Sequence, residues 1–145
     1  MMTKTEHGAE VFGNGFNCAQ AVFSSFSEDY GLNVATACKI AGGLGSGARS
    51  AELCGAVSGA VLVIGLKCGQ GTAVDVDAKQ KCNTETEEFM RRFRKSNGDI
   101  VCRNLLECDI TTTEGRENAV ARELFTTKCK DLVVSAISIL MDMGY

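Results

Sequence analysis

Proline is absent from this 145-residue sequence, and histidine occurs once, at His7. One histidine near a chain terminus, with no carboxylate pair standing out, gives acid–base catalysis little to work with. Runs of strict apolar–polar alternation are also missing beyond a few residues, which argues against strands. No segment is apolar enough for a targeting or membrane element. The start "MMTKTEHGAEVF" lacks the apolar stretch of a signal peptide, and the longest uncharged apolar run, Leu53 to Leu66, is short for a bilayer. A cytoplasmic protein that does not span a membrane is the expectation. Excess positive charge is lacking too: the net charge is −3, so no nucleic-acid partner is expected. The basic run Arg91-Arg92-Phe93-Arg94-Lys95 follows Glu85, Glu87 and Glu88 and reads as the solvated face of one helix.

What is present is a 3.6-residue apolar period over most of the chain. The expectation is an all-α fold, a single compact helical bundle of six or seven helices forming one domain over residues 1–145. A first helix runs from Lys4 to Phe12 and ends at Gly13-Asn14-Gly15. Asn17 caps a second that stops near Gly31, and Asn33 caps a short third ending at Gly42-Gly43. "GGLGSG" (Gly42 to Gly47) follows a helix and is not followed by a Lys-Ser/Thr pair, so it reads as a flexible connection, not a phosphate loop. A fourth helix starts after Ser50, carries Leu53, Ala56, Val57, Ala60, Val61 and Ile64 on one stripe, and ends near Lys67 to Gly69. Gly55, Ala56, Gly59 and Ala60 give it small-xxx-small ridges open to close helix approach. A polar stretch leads to about Cys82, and Thr84-Glu85-Thr86-Glu87 reads as a capping box opening a fifth helix that closes at Asn97-Gly98. Short helical stretches at 101–107 and 114–125 precede a last helix from Thr127 to Met143, with Leu132, Val133, Ala136, Ile139 and Leu140 inward.

Eight cysteines stand out in a chain expected in a reducing compartment, where such a number points to metal, cluster or redox chemistry. Four occupy one kind of position. Cys18 follows the capping Asn17, Cys54 lies in the first turn after Ser50-Ala51-Glu52, Cys102 in the first turn after Asp99, and Cys129 just after Thr127. Free N–H groups at a helix start favour a thiolate over a thiol, and the thiolate is the reactive and ligating form. No Cys-x-x-Cys pair exists, so any shared site is assembled by the fold and not by local spacing. Of the others, Cys38 reads as core and Cys68 as a helix C-terminal residue. Cys82 and Cys108 fall in polar connections, where they are open to pairing with each other or with Cys68.

The chain resembles a family of redox-active proteins named for its spaced cysteine pattern, C_GCAxxG_C_C. The matching elements are "FNCAQAVFSSF", "GGLGSG", "CGAVSGA" (Cys54, Gly55, Ala56, Gly59), "VCRNLL" and "CKDLVVSAI". They pick out the same four cysteines. The resemblance implies a helical redox protein of bacteria and archaea, with a redox partner protein and a link to transporters. Similarity to part of the split-Soret cytochromes implies an iron–sulfur association. Covalent haem is not expected, since no Cys-x-x-Cys-His occurs, and the four additional cysteines depart from the pattern.

Three readings stay open on these residues. Cys18, Cys54, Cys102 and Cys129 form exchangeable disulfides without a cofactor, as in a thiol–disulfide oxidoreductase. The same four hold an iron–sulfur cluster or a structural metal ion. Or the chain is a non-catalytic helical interaction domain with inert thiols. The apolar helices also suit a homo-oligomer interface.

Overall fold

Asparagine and threonine side chains open the early helices, because each accepts a hydrogen bond from an otherwise unpartnered N–H of the first turn. In the computed structural model, which describes residues 1–145, Thr3 and Glu6 form a reciprocal capping box at α1 (Lys4–Gly13). Asn17 and Gln20 do the same at α2 (Cys18–Ser27), and Asn33 caps α3 (Val34–Ile40). A 3-10 turn, Glu28–Tyr30, continues α2 to Gly31, whose φ of +86° ends it. The remaining helices are α4 (Gly55–Cys68), α5 (Val76–Asn97), α6 (Cys102–Leu106), α7 (Thr113–Ala121) and α8 (Lys128–Asp142). The fold is all-α with no strand. Eight α-helices exceed the expected six or seven by counting the short pieces, of which α6 has only 5 residues.

α2 is the axis of the molecule. It packs against α1, α3, α4 and α8, and residues 21–27 are buried almost without interruption. The main core joins Val22 and Phe26 of α2 to Val57, Ala60 and Ile64 of α4, Phe89 and Phe93 of α5, and Val133, Ala136, Ile137 and Leu140 of α8. A smaller cluster beside it contains Ala51, Cys102, Leu106, Ile110, Ala119 and Cys129. No helix is long and apolar enough to cross a membrane.

The expected close approach along α4 is to α2. A Cβ built on Gly59 would stand 2.7 Å from the carbonyl oxygen of Ala19, and one on Gly55 would stand 3.1 Å from the Cβ of Cys18. Backbone meets backbone here, so neither neighbour can swing aside. Gly65, one and a half turns on, has nothing within 4 Å.

Several boundaries differ from expectation. α4 begins at Gly55, not after Ser50, so Leu53 is not on its stripe; it forms a one-rung antiparallel bridge with Val101. α5 begins at Val76, capped by Asp75, whose carboxylate accepts from Ala78 N at 3.2 Å. Thr84 to Glu87 therefore lies inside that helix, and so does Cys82. α5 buries only Phe89 and Phe93, so its first two turns carry no apolar stripe to announce it. Its charged face behaves as expected, with Glu88 bridging Arg91 and Arg92 at 2.6 and 2.8 Å. "GGLGSG" is packed, not loose. Gly45 and Gly47 are buried, and the chain then makes a left-handed turn through Ser46, Gly47, Ala48 and Arg49 (φ +55°, +62°, +56° and +61°). Each non-glycine residue there costs roughly 1–2 kcal/mol.

The two α4 glycines predict opposite outcomes in urea denaturation. Gly59→Val destabilises by about 2–3 kcal/mol through overpacking against α2. Gly65→Ala stabilises by up to about 1 kcal/mol through helix propensity.

A candidate four-thiol redox site

All four singled-out cysteines lie at helix starts, although Cys54 precedes its helix and is not in its first turn as expected. Cys18 is the first residue of α2, held by the Asn17 cap, whose amide also donates to the carbonyls of Ala41 and Gly42 at 3.3 and 3.2 Å. Cys54 is itself the cap residue of α4, Cys102 the first residue of α6, and Cys129 the second of α8. The fold turns all four starts toward one place: a cavity of about 200 Å³ lined by Cys18, Cys54, Cys102 and Cys129. Phe12, Leu105, Leu106, Ile110, Phe125 and Leu132 make most of the remaining wall apolar.

Two backbone hydrogen bonds tie Cys54 to Cys102. The N–H of Cys54 donates to Ile100 O at 2.8 Å, and the N–H of Cys102 donates to Glu52 O at 2.5 Å, on either side of the Leu53–Val101 bridge. Asp99 shapes the approach by accepting from the N–H groups of Ile100 and Val101 at 2.6 and 2.9 Å, which holds its carboxyl below the usual range. Arg103 locks the same junction from outside through Glu52 at 2.6 Å. Gly47 closes the corner: a Cβ there would lie 3.0 Å from that of Cys102 and 2.4 Å from Glu52 N.

Helix starts alone predict four depressed thiols, and the structure corrects this for three. Cys129 is lowered, because the Cys18 side chain hydrogen-bonds to it and Lys128 lies near. The same contact raises Cys18, and burial and the other three sulfurs raise it further. Burial pushes Cys54 up to about 11, although the N–H groups of Ala56 and Val57 and the Lys128 charge favour its thiolate. Cys102 is pushed up to about 12 by burial and then by Cys54 and Cys129; the short α6 and Arg103 do not offset this. Desolvation and like-charge repulsion outweigh the helix ends. Of the four thiols, only Cys129 is shifted toward its thiolate, and its neighbour Cys18 is shifted the other way.

The other four cysteines do not line this cavity. All eight are free thiols. Cys38 is core, as expected, and burial raises it. Cys68 ends α4, with its sulfur 3.7 Å from the Tyr145 hydroxyl, which in turn donates to Glu85 at 3.0 Å. Cys82 is in α5, half-buried against the main core, rather than in a connection. Cys108 packs against the smaller cluster, near enough to Cys102 to disfavour its ionisation. The sequence reading missed the bridge and Gly47, because each acts through a partner distant in sequence, Val101 for Leu53 and Cys102 for Gly47, and it missed Arg116 of the cavity wall, which no local pattern marks.

A family model described as "Putative redox-active protein (C_GCAxxG_C_C)" matches residues 16–143, which contain all four cysteines of the cavity. No curated protein and no solved structure matches the chain.

Cys129 should ionise first, which a pH series of iodoacetamide labelling on reduced, metal-free protein resolves by peptide mass. Cys18→Ala removes the hydrogen bond that lowers Cys129, so its labelling should slow at pH 7 and the midpoint of its pH profile move up. An unchanged profile would show that the two sulfurs do not share a proton.

Proposed function

Because the chain belongs to the C_GCAxxG_C_C family of redox-active proteins, we propose that it is an electron-transfer protein whose Cys18, Cys54, Cys102 and Cys129 ligate one iron–sulfur cluster. The observation that carries this reading is that all four cysteines line one cavity of about 200 Å³. Disulfide exchange needs two sulfurs. Four cysteine ligands are the usual set for [2Fe–2S] and [4Fe–4S] centres. No three histidine, cysteine, aspartate or glutamate side chains are grouped as ligands of a single metal ion. When bound, such a cluster supplies one-electron transfer.

The chain's own residues prepare the site in three ways. The N–H groups of Ala56 and Val57 favour the Cys54 thiolate directly, and the positive ends of α2 and α8 lie beside Cys18 and Cys129. Leu105, Leu106, Ile110 and Leu132 give the cavity an apolar wall, and a lower local dielectric strengthens those interactions. Cys18, Cys54 and Cys102, raised as thiols, must release their protons when they become ligands. Loading therefore becomes more favourable as pH rises.

A second reading is supported by the opposed shifts of neighbouring Cys18 and Cys129, one thiol raised and the other lowered. Attack of the Cys129 thiolate on a partner disulfide would form a mixed disulfide and release one partner thiolate. Deprotonated Cys18 would then displace the other, leaving a Cys18–Cys129 disulfide and a reduced partner.

Protein purified without oxygen and without a metal-affinity tag should absorb broadly in the visible, with iron and acid-labile sulfide in comparable amounts. Cys54→Ser and Cys102→Ser should abolish or bleach that absorbance, while Cys38→Ser and Cys68→Ser leave it intact. Colourless, iron-free protein that forms a Cys18–Cys129 disulfide on mild oxidation would replace the first reading with the second.

A further inference from the structure

Against the thiol cavity lies a second hollow, of about 220 Å³ and opposite character. Arg49, Arg116, Ser46 and the run Thr111 to Thr113 line it, and Ile110 is its only hydrophobic residue. Ser46, Ile110 and Arg116 belong to both walls, so one layer of side chains separates the two spaces.

Its two arginines have no carboxylate partner. The ion pairs of the molecule are Lys4 with Asp29, Glu88 with Arg91 and Arg92, and Arg103 with Glu52. Arg49 touches only the Ser46 hydroxyl, at 3.4 Å, and Arg116 lies over the Phe125 ring at 5.3 Å. Phe125 is itself a wall of the thiol cavity, so that contact fixes Arg116 on the partition. No carboxylate lines the hollow. Asp109, beside the threonine run, is engaged by the N–H and hydroxyl of Thr111 at 2.9 and 2.5 Å. Thr112 is likewise used, donating to Asp109 O and accepting from Gly115 N, both at 2.9 Å. The Thr113 hydroxyl makes no side-chain hydrogen bond and can donate to a ligand. Arg49 comes from the left-handed turn, an unfavourable backbone that four consecutive residues nevertheless adopt.

We propose that this hollow binds a small inorganic oxyanion of the sulfate or phosphate type between the two guanidinium groups, at the threshold of the four thiols. Guanidinium forks match pairs of oxyanion oxygens, and two forks without a competing carboxylate favour a doubly charged ligand over chloride. The site does not depend on what the thiols hold, since its ligating groups are arginines and hydroxyls, not sulfur.

The test is calorimetric titration of the full chain with sodium sulfate and, separately, sodium phosphate, against sodium chloride at matched ionic strength. One saturable site for either oxyanion is expected. Arg49→Gln and Arg116→Gln should each weaken it at least tenfold, and Arg94→Gln, on the exposed face of α5, should leave it unchanged. Heat that does not saturate, or an equal loss in Arg94→Gln, would overturn the site in favour of general attraction to cationic surface. Phenylglyoxal modification of the unmutated protein covers the case of a variant that misfolds. Sulfate should slow modification of Arg49 and Arg116 but not of Arg94; equal rates with and without sulfate would overturn the proposal.

Discussion

Four helix starts facing one small cavity are an electrostatic liability, and the architecture around the site depends on how that liability is met. Asn17 satisfies one first-turn N–H of α2 and backbone carbonyls take those of Cys54, Cys102 and Cys129, but each start still carries a partial positive charge, so bringing α2, α4, α6 and α8 together by those ends is unfavourable unless negative charge fills the middle. Ionised sulfur supplies that charge. Cys54 and Cys102 are buried in a largely apolar wall, which penalises any thiolate without a partner and raises both thiols. Helix ends that call for negative charge and walls that resist it leave the reduced chain electrostatically incomplete. The proposed cluster, a positively charged centre among four thiolates, would satisfy both demands.

Precision comes from backbone, not from side-chain packing alone. Gly55 and Gly59 let α4 lie directly on Ala19 and Cys18 of α2, which sets the distance between the first two sulfurs. The Leu53–Val101 bridge sets the third, because the two N–H groups that flank it belong to Cys54 and Cys102. α8 brings the fourth, with Cys129 N donating to Leu124 O at 2.9 Å just before the helix turns into the core. The glycines beside Cys54 therefore serve packing and chemistry at once.

Much of this was legible in the sequence where the signal is local. Asn17 and Asn33 marked their helices, the periodic stripe marked α8, and position relative to helix starts picked out four cysteines of eight. What the sequence hid was either nonlocal or unpatterned. The bridge at Leu53 unites residues 48 positions apart and shortens α4 by a turn, as no propensity could foretell. The first turns of α5 carry no apolar stripe, with Val76 exposed, so Thr84 to Glu87 passed for a helix start when it was a helix middle. Thiol ionisation went the same way. The capping positions were readable, but the burial that reverses their effect exists only once four distant segments meet.

The central claim is that these four sulfurs behave as one unit. It is tested most directly by alkylating anaerobically purified, native protein with a limiting series of iodoacetamide and counting adducts on each cysteine of intact molecules by mass spectrometry. Cys18, Cys54, Cys102 and Cys129 should be blocked together or labelled together, with molecules carrying one, two or three adducts among them scarce, while half-buried Cys82 and Cys108 label independently. Stepwise, uncorrelated labelling of the four would contradict a shared centre and leave separate thiols that merely line a common space.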